Sequence, residues 1–275
     1  MKLSDDISAP RGGCGAFKVV HLARMSGNLL EVLNAAADAV EAALSVCEDW
    51  GPTGAKHGQY GFDLAADAAA CAVLRDGGLR VLSEESGLAP GDGPVAVLDP
   101  VDGSTNASRG IRYYATSICA LDPDGPVAAV VHDHGSSERF EASRGAGAWL
   151  DGRRLPARPE TPLRAAVVAV NGTAPGAGGW AQTRTLGAAA LELCAVAAGR
   201  LDGYLDFSAD GLGSWDYLGA LLVCREVGVS MVDALRRHLV TVDHGARRAP
   251  LAATPLLLEE LSVAHRRLSG APART

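Results

Sequence analysis

Apolar residues recur every three or four positions across 28–48. Leu29, Val32, Leu33, Ala36, Val40, Ala43, Leu44 and Cys47 form one stripe, the mark of an amphipathic helix. Gly27-Asn28 stands before it, and Asp49, Gly51 and Pro52 end it. A second helical period runs from about Leu64 to Arg75 and stops at Gly77-Gly78. Short apolar runs then take over: Leu79–Leu82, Pro94–Leu98, Tyr114–Leu121, Val127–His132, Glu138–Ala142 and Ala148–Leu150. Asp122-Pro123-Asp124-Gly125 and Asp151-Gly152 supply turn chemistry between them, so this stretch reads as a strand meander. Polar, Pro-rich residues 152–163 read as a linker or surface loop. Beyond it strands (Ala165–Val170, Tyr204–Phe207, Val229–Val232, Leu251–Ala253) alternate with helices (Leu186–Ala198, Trp215–Val227, Pro255–Leu268). A mostly antiparallel first half and an alternating second half predict a layered α+β architecture.

Composition narrows the class. The chain has 275 residues, 48% of them hydrophobic, enough for a sizeable core. It has no apolar run of about eighteen residues, so no membrane helix is expected. The first 24 residues lack the charged, apolar and cleavage regions of a signal peptide, and read as a loosely ordered extension. The formal charge is -7, and Lys and Arg are scattered rather than gathered in a stripe, which disfavours a nucleic-acid polymer as partner. Six cysteines fall at no metal or redox spacing; reduced thiols in a cytoplasmic protein are expected. The expected division is an extension over 1–24, an α+β domain over 25–160 carrying most of the acidic ligands, and an α/β domain over 161–275 contributing Asp206 and Asp216.

Candidate chemistry lies where carboxylates meet strand ends. Asp99-Pro100-Val101-Asp102-Gly103-Ser104-Thr105-Asn106 follows a short strand. Pro100 restrains the backbone between two acids, Gly103 permits a positive φ, and Ser104 or Thr105 suits a helix start. Two carboxylates and a helix start on one spot would suit a hard cation and a phosphate. Asp-Pro and Asp-Gly are also ordinary turn dipeptides, so this segment alone decides nothing. Ser83-Glu84-Glu85-Ser86 after an apolar run, and Trp215-Asp216 heading an apolar helix, strengthen the metal reading. His132, Asp133 and His134 offer a weaker cluster, read as a strand-end turn.

Together, the segments 82–87, 99–106 and 215–228 resemble the inositol monophosphatase family, over about residues 26–268. The resemblance implies a layered αβαβα sugar-phosphatase fold, two or three Mg2+ ions, lithium sensitivity and a homodimer. By position it implies Glu84, Asp99, the Val101 carbonyl, Asp102 and Asp216 as metal ligands, with Glu84 also helping to activate water. Gly103, Ser104 and Thr105 would cradle the phosphate, with the Ser104 hydroxyl bonding the water. Asp67, which follows Lys56 at the family interval, would orient that hydroxyl. Cys71 stands where the family commonly has Glu.

Asp206 is the match for the family carboxylate that contacts substrate hydroxyls. The stretch Ser208–Ser214 is longer than the usual family loop. A small polyol or sugar phosphate such as inositol 1-phosphate is the leading substrate. Histidinol phosphate, fructose 1,6-bisphosphate and 3′-phosphoadenosine 5′-phosphate stay open. A phosphate-binding protein without catalysis is the bland alternative, and retention of every main ligand position speaks against it.

Overall fold

The computed structural model describes residues 14–54, 59–208 and 211–270, with the backbone alone over 14–28. Helix α1 spans Cys14–Ser45 and α2 Gly61–Asp76. The expectation of a loose extension through residue 24 is corrected over 14–24, which is helical. Gly27-Asn28 lies inside α1 rather than at its start; one interior Gly costs a helix only about 1 kcal/mol, too little to end it. The rest of the expected extension, and Lys56, lie outside the described residues.

Eight strands form the first sheet: β1 (Arg80–Ser83), β2 (Gly87–Leu88), β3 (Val95–Asp102), β4 (Ala115–Asp122), β5 (Gly125–Asp133), β6 (Arg139–Ser143), β7 (Gly147–Leu150) and β8 (Arg153–Arg154). Their order is β2-β1-β3-β4-β5-β6-β7-β8, antiparallel except for the β1–β3 pair. The short helix α3 (Ser104–Ser108) follows β3. The second sheet takes β9 (Val167–Asn171), β10 (Gln182–Arg184), β11 (Gly203–Asp206), β12 (Ser230–Asp233) and β13 (Pro250–Ala253) in the order β10-β9-β11-β13-β12.

Alternation along the strands builds the layers. On β3, Val95 and Val97 enter one core while Ala96 and Leu98 enter another; β5 does the same with Ala129 and Val131 against Ala128 and Val130. The second of these cores packs α1 and α2 on the outer face of the first sheet. The first encloses α4 (Ala189–Ala198) and α5 (Leu218–Glu226) between the two sheets. Helix α6 (Pro255–Leu268) covers the outer face of the second sheet through Leu257, Leu258 and Leu261. The result is the five-layered αβαβα sandwich. Close approach at the middle layer requires Gly219 on α5, where a Cβ would stand 2.7 Å from Ser117 Oγ. Among the described residues no helix is long and apolar enough to cross a membrane.

Candidate functional site

Strand β3 loses its register where the acids begin. Asp99 pairs with Ser117 and Asp102 with Ala115, so Pro100 and Val101 together oppose Thr116. Residues three apart on a regular strand point to opposite faces, and the extra residue of a bulge resets that alternation. Pro100 has no N–H to lose there, and its carbonyl accepts the Thr116 hydroxyl at 2.8 Å. Asp99 and Asp102 thereby meet Asp216, from the turn before α5: one oxygen of each of the three lies within 4.8 Å of the others.

Backbone donors fix each acid. Asp99 Oδ1 accepts Val101 N–H at 3.0 Å, while its Oδ2 is buried without a hydrogen-bond partner. Asp102 accepts Ala189 N–H at 3.2 Å and Ala190 N–H at 2.7 Å, at the first turn of α4. Asp216 accepts Gly213 N–H at 2.6 Å. Burial, then the charges of Glu84, Asp102 and Asp216, hold the Asp99 carboxyl well above the usual range. Burial raises Asp102 to about 8 against the pull of its two N–H donors. Burial and the Asp102 charge raise Asp216 to about 8. Three carboxyls so crowded relieve their repulsion by sharing a cation. All-oxygen donors suit a hard one, and the orphaned Asp99 Oδ2 is a ready ligand.

Beside the cluster, Gly103 starts α3 at φ +87°. A Cβ there would meet Ala188 Cβ, Gly187 O and Tyr113 O at 3.1 Å each, so both the conformation and the space demand Gly. Ser104 Oγ lies 2.7 Å from Val101 O and 2.9 Å from Asp63 Oδ1. Asp63, not Asp67, is therefore the carboxylate within hydrogen-bond reach of the Ser104 hydroxyl; the other oxygen of Asp63 accepts Tyr60 N–H at 3.0 Å. Positions 63 and 67 share a face of α2 but stand about one turn, 5.4 Å, apart, so only one reaches Ser104. Asp67 instead accepts the Ser83 hydroxyl, and Ser83 Oγ accepts Glu85 N–H at 3.1 Å. Asp67 thus steadies the turn carrying Glu84. Glu84 itself lies outside the three-acid cluster but close enough to raise Asp99.

Residues 62–269 match the model of the inositol monophosphatase family. The chain belongs to the inositol monophosphatase family. The Nus factor SuhB of Escherichia coli strain K12 is 32% identical over 237 residues, covering 80% of this chain and 85% of that protein. The solved SuhB protein of Bartonella henselae superposes with a TM-score of 0.72 at 25% identity, over 89% of this chain and 99% of that one. Inositol monophosphatase-II of Staphylococcus aureus shares the fold, with a TM-score of 0.72 at 22% identity over 90% and 94% of the two chains. With the acidic cluster, membership makes the protein a metal-dependent hydrolase of phosphate monoesters.

Against the inositol monophosphatase pattern, the remaining residues sort plainly. Asp206 ends β11, apart from the acid cluster; its Oδ1 accepts Ser208 N–H at 2.7 Å and its Oδ2 is buried without a partner. Cys71 contacts Asp67 Oδ1 at 3.5 Å, and burial lifts its thiol to about 11, so it stays protonated. His134 is half-buried against Thr116, at 2.8 Å, and desolvation lowers it to about 3, which fits the structural reading of that turn. Sequence reasoning missed Asp63, although its spacing of four from Asp67 marked the same face. It also missed His244, whose ring packs on Trp215 at 4.9 Å and whose Nε2 lies 3.0 Å from Glu84 O. Glu192, buried on α4, accepts Leu186 N–H at 2.7 Å and steadies the loop packed against Gly103. No motif surrounds either residue in the sequence.

Proposed function

We propose that the protein is a magnesium-dependent phosphatase that hydrolyses a small polyol or sugar phosphate, inositol 1-phosphate first in line, by direct attack of water. The observation that carries the reading is the convergence of Asp99, Asp102 and Asp216 on one point beside the Gly103 helix start. Two or three Mg2+ ions, when bound, would lower the pKa of water and neutralise charge on the transferring phosphoryl group. Asp99, Asp102 and Asp216 would hold them, with Glu84 and the Val101 carbonyl completing the ligand set. The Gly103, Ser104 and Thr105 N–H groups have no intrahelical acceptor at the start of α3 and would bind the phosphate oxygens.

Proton movement falls to two residues. Ser104 Oγ directs its own hydrogen toward Asp63 or Val101, which leaves a lone pair to orient the attacking water. Glu84 would take the proton that water gives up. The buried Asp206 Oδ2, lacking a donor, would accept one from a substrate hydroxyl. Such a bond to a charged group contributes about 1.5–3 kcal/mol, enough to favour a polyol over a simple alkyl phosphate. The same reading carries lithium inhibition, a homodimer and a cytoplasmic location.

Phosphate release from a panel of inositol, sugar, amino-alcohol and nucleotide phosphates tests it, with magnesium or chelator, for the wild type and Asp206→Ala. Magnesium-dependent release led by polyol or sugar phosphates, weakened in D206A, is expected. Release in chelator would remove the metal chemistry. A lead of about a hundredfold by the nucleotide or amino-alcohol phosphate, or an unchanged ranking in D206A, would remove the polyol reading.

A further inference from the structure

The main chain of Glu84 is held from two directions. Glu84 opens the turn 84–86 between β1 and β2. Its N–H donates at 3.2 Å to the carbonyl of Leu98, the residue before Asp99, which ties the turn to β3. Its own carbonyl lies 3.0 Å from Nε2 of His244, 160 positions along the chain on the connection between β12 and β13. A carbonyl oxygen only accepts, so Nε2 of His244 carries the hydrogen and donates it.

The donating ring is itself fixed against the segment that carries Asp216. His244 packs on Trp215 with ring centres 4.9 Å apart and planes inclined by 32°. Arg247 Nη1 donates to His244 O at 2.9 Å, and its guanidinium stands 5.1 Å from the centre of the same Trp215 ring. Trp215 is buried, immediately precedes Asp216, and accepts the Ser117 hydroxyl on its carbonyl at 3.1 Å. Gly213 serves both neighbours: a Cβ there would stand 2.3 Å from the Trp215 ring, and its N–H holds Asp216 at 2.6 Å. Leu212 and Arg248 exchange backbone bonds at 2.6 and 2.8 Å, which fastens the connection to that turn a second time.

The acids differ in how their spacing is set. Asp99 and Asp102 share β3, so one bulge fixes the distance between them. Glu84 and Asp216 come from the turn after β1 and the turn before α5, and their spacing depends on contacts between separate segments. Ser83 and Asp67 steady the Glu84 turn from the side of α2. His244 spans the remaining gap, with its N–H on Glu84 and its ring on the neighbour of Asp216.

We propose that His244 is a positioning residue that, through Nε2–H, sets Glu84 relative to Asp216. It thereby raises the affinity of the acids for Mg2+ and the rate at which Glu84 takes the proton from water. The proposal rests on the phosphatase reading above and adds a residue outside the segments 82–87, 99–106 and 215–228.

Two variants separate the donor from the ring. His244→Phe keeps a ring for Trp215 and removes the donor; His244→Gln removes the ring and keeps an N–H with similar reach. Magnesium binding is measured by calorimetry without substrate, kcat and KM with inositol 1-phosphate, and folding by thermal melting. H244F should bind Mg2+ about tenfold more weakly and lose about tenfold or more in kcat. Its KM should stay within about twofold, since His244 acts through Glu84 and not on the substrate. H244Q should regain most of both losses. Wild-type Mg2+ binding and kcat in H244F overturn the proposal. So does a raised KM at unchanged kcat, which would place His244 on the substrate. Equal losses in both variants, following a lowered melting temperature, make the contact structural only and overturn it as well. If the wild type hydrolyses nothing, the phosphatase reading falls and the Mg2+ titrations still decide: weaker binding in H244F recovered in H244Q sustains the positioning of Glu84, and unchanged binding overturns it. A wild type that binds no Mg2+ overturns both.

Discussion

The acid cluster and the connection between β12 and β13 that carries Arg247 and Arg248 are built by opposite means. Asp99 and Asp102 lie in the middle of a sheet, on a strand whose eight residues are all buried, and backbone N–H groups from three places fix the carboxylates of the cluster. That connection is irregular backbone, and its arginines donate to main-chain carbonyls of the same connection. Burial lets the acids of the cluster feel one another: Glu84, Asp102 and Asp216 raise Asp99, and Asp102 raises Asp216. Arg247 is exposed and Arg248 half-buried, so solvent screens a charge change there.

That contrast has an order of expected effects. Asp216→Asn should lower phosphate release from every substrate by several orders of magnitude and leave their ranking intact, as read by initial rates. A changed ranking would place Asp216 in recognition instead. Gly103→Ala should come next: its backbone angle alone costs about 1–3 kcal/mol in a non-Gly residue, before the 3.1 Å contacts are relieved. A lower melting temperature with lost turnover is expected, and an unchanged one would contradict the packing of Gly103 on the Gly187 loop.

Asp63→Asn should lower kcat by about 10–100-fold, the usual cost of losing an outer partner of a catalytic group. Asp67→Asn, acting only through the Glu84 turn, should cost less; the reverse order would restore the assignment made from the sequence alone. A separate effect is on stability against pH. Asp102 and Asp216 titrate near 8 when folded and near the ordinary 3.8 when unfolded, so the folded state binds more protons between those values. Stability in chelator should therefore fall as pH rises from about 4 to 8. Magnesium should offset that loss, so its gain in melting temperature should grow with pH in paired melts; a constant gain would break the link between the raised carboxyls and the cation.

Legibility followed the same division. Asp99-Pro100-Val101-Asp102-Gly103 was readable because Pro and Gly leave the backbone few choices, and α6 because Pro255 and an apolar period bound it at both ends. Strand β10 was not, since all three of its residues are exposed and carry no alternation. Asp216 was expected at a helix start, but α5 begins at Leu218 and the acid lies in the turn before it. The turn is set by Gly213 N–H bonding Asp216, a local contact that apolar period does not report. Asp63 and Asp67 share a face, and only the distance to Ser104 separates them. The pairing of Leu212 with Arg248 joins segments far apart in the chain, beyond the reach of any local pattern.

Asp102 does two jobs with one carboxylate. Its oxygens anchor the first turn of α4, the helix wedged between the sheets, while the same oxygens stand in the acid cluster. The two sheets are thus riveted through the catalytic centre, and a ligand mutant there loosens a joint as well as emptying a site. Loading the cluster should tighten that rivet from within. Amide hydrogen exchange at Ala189 and Ala190 should slow when magnesium is added, which would make the backbone of the middle layer a reporter for occupancy at the site of reaction.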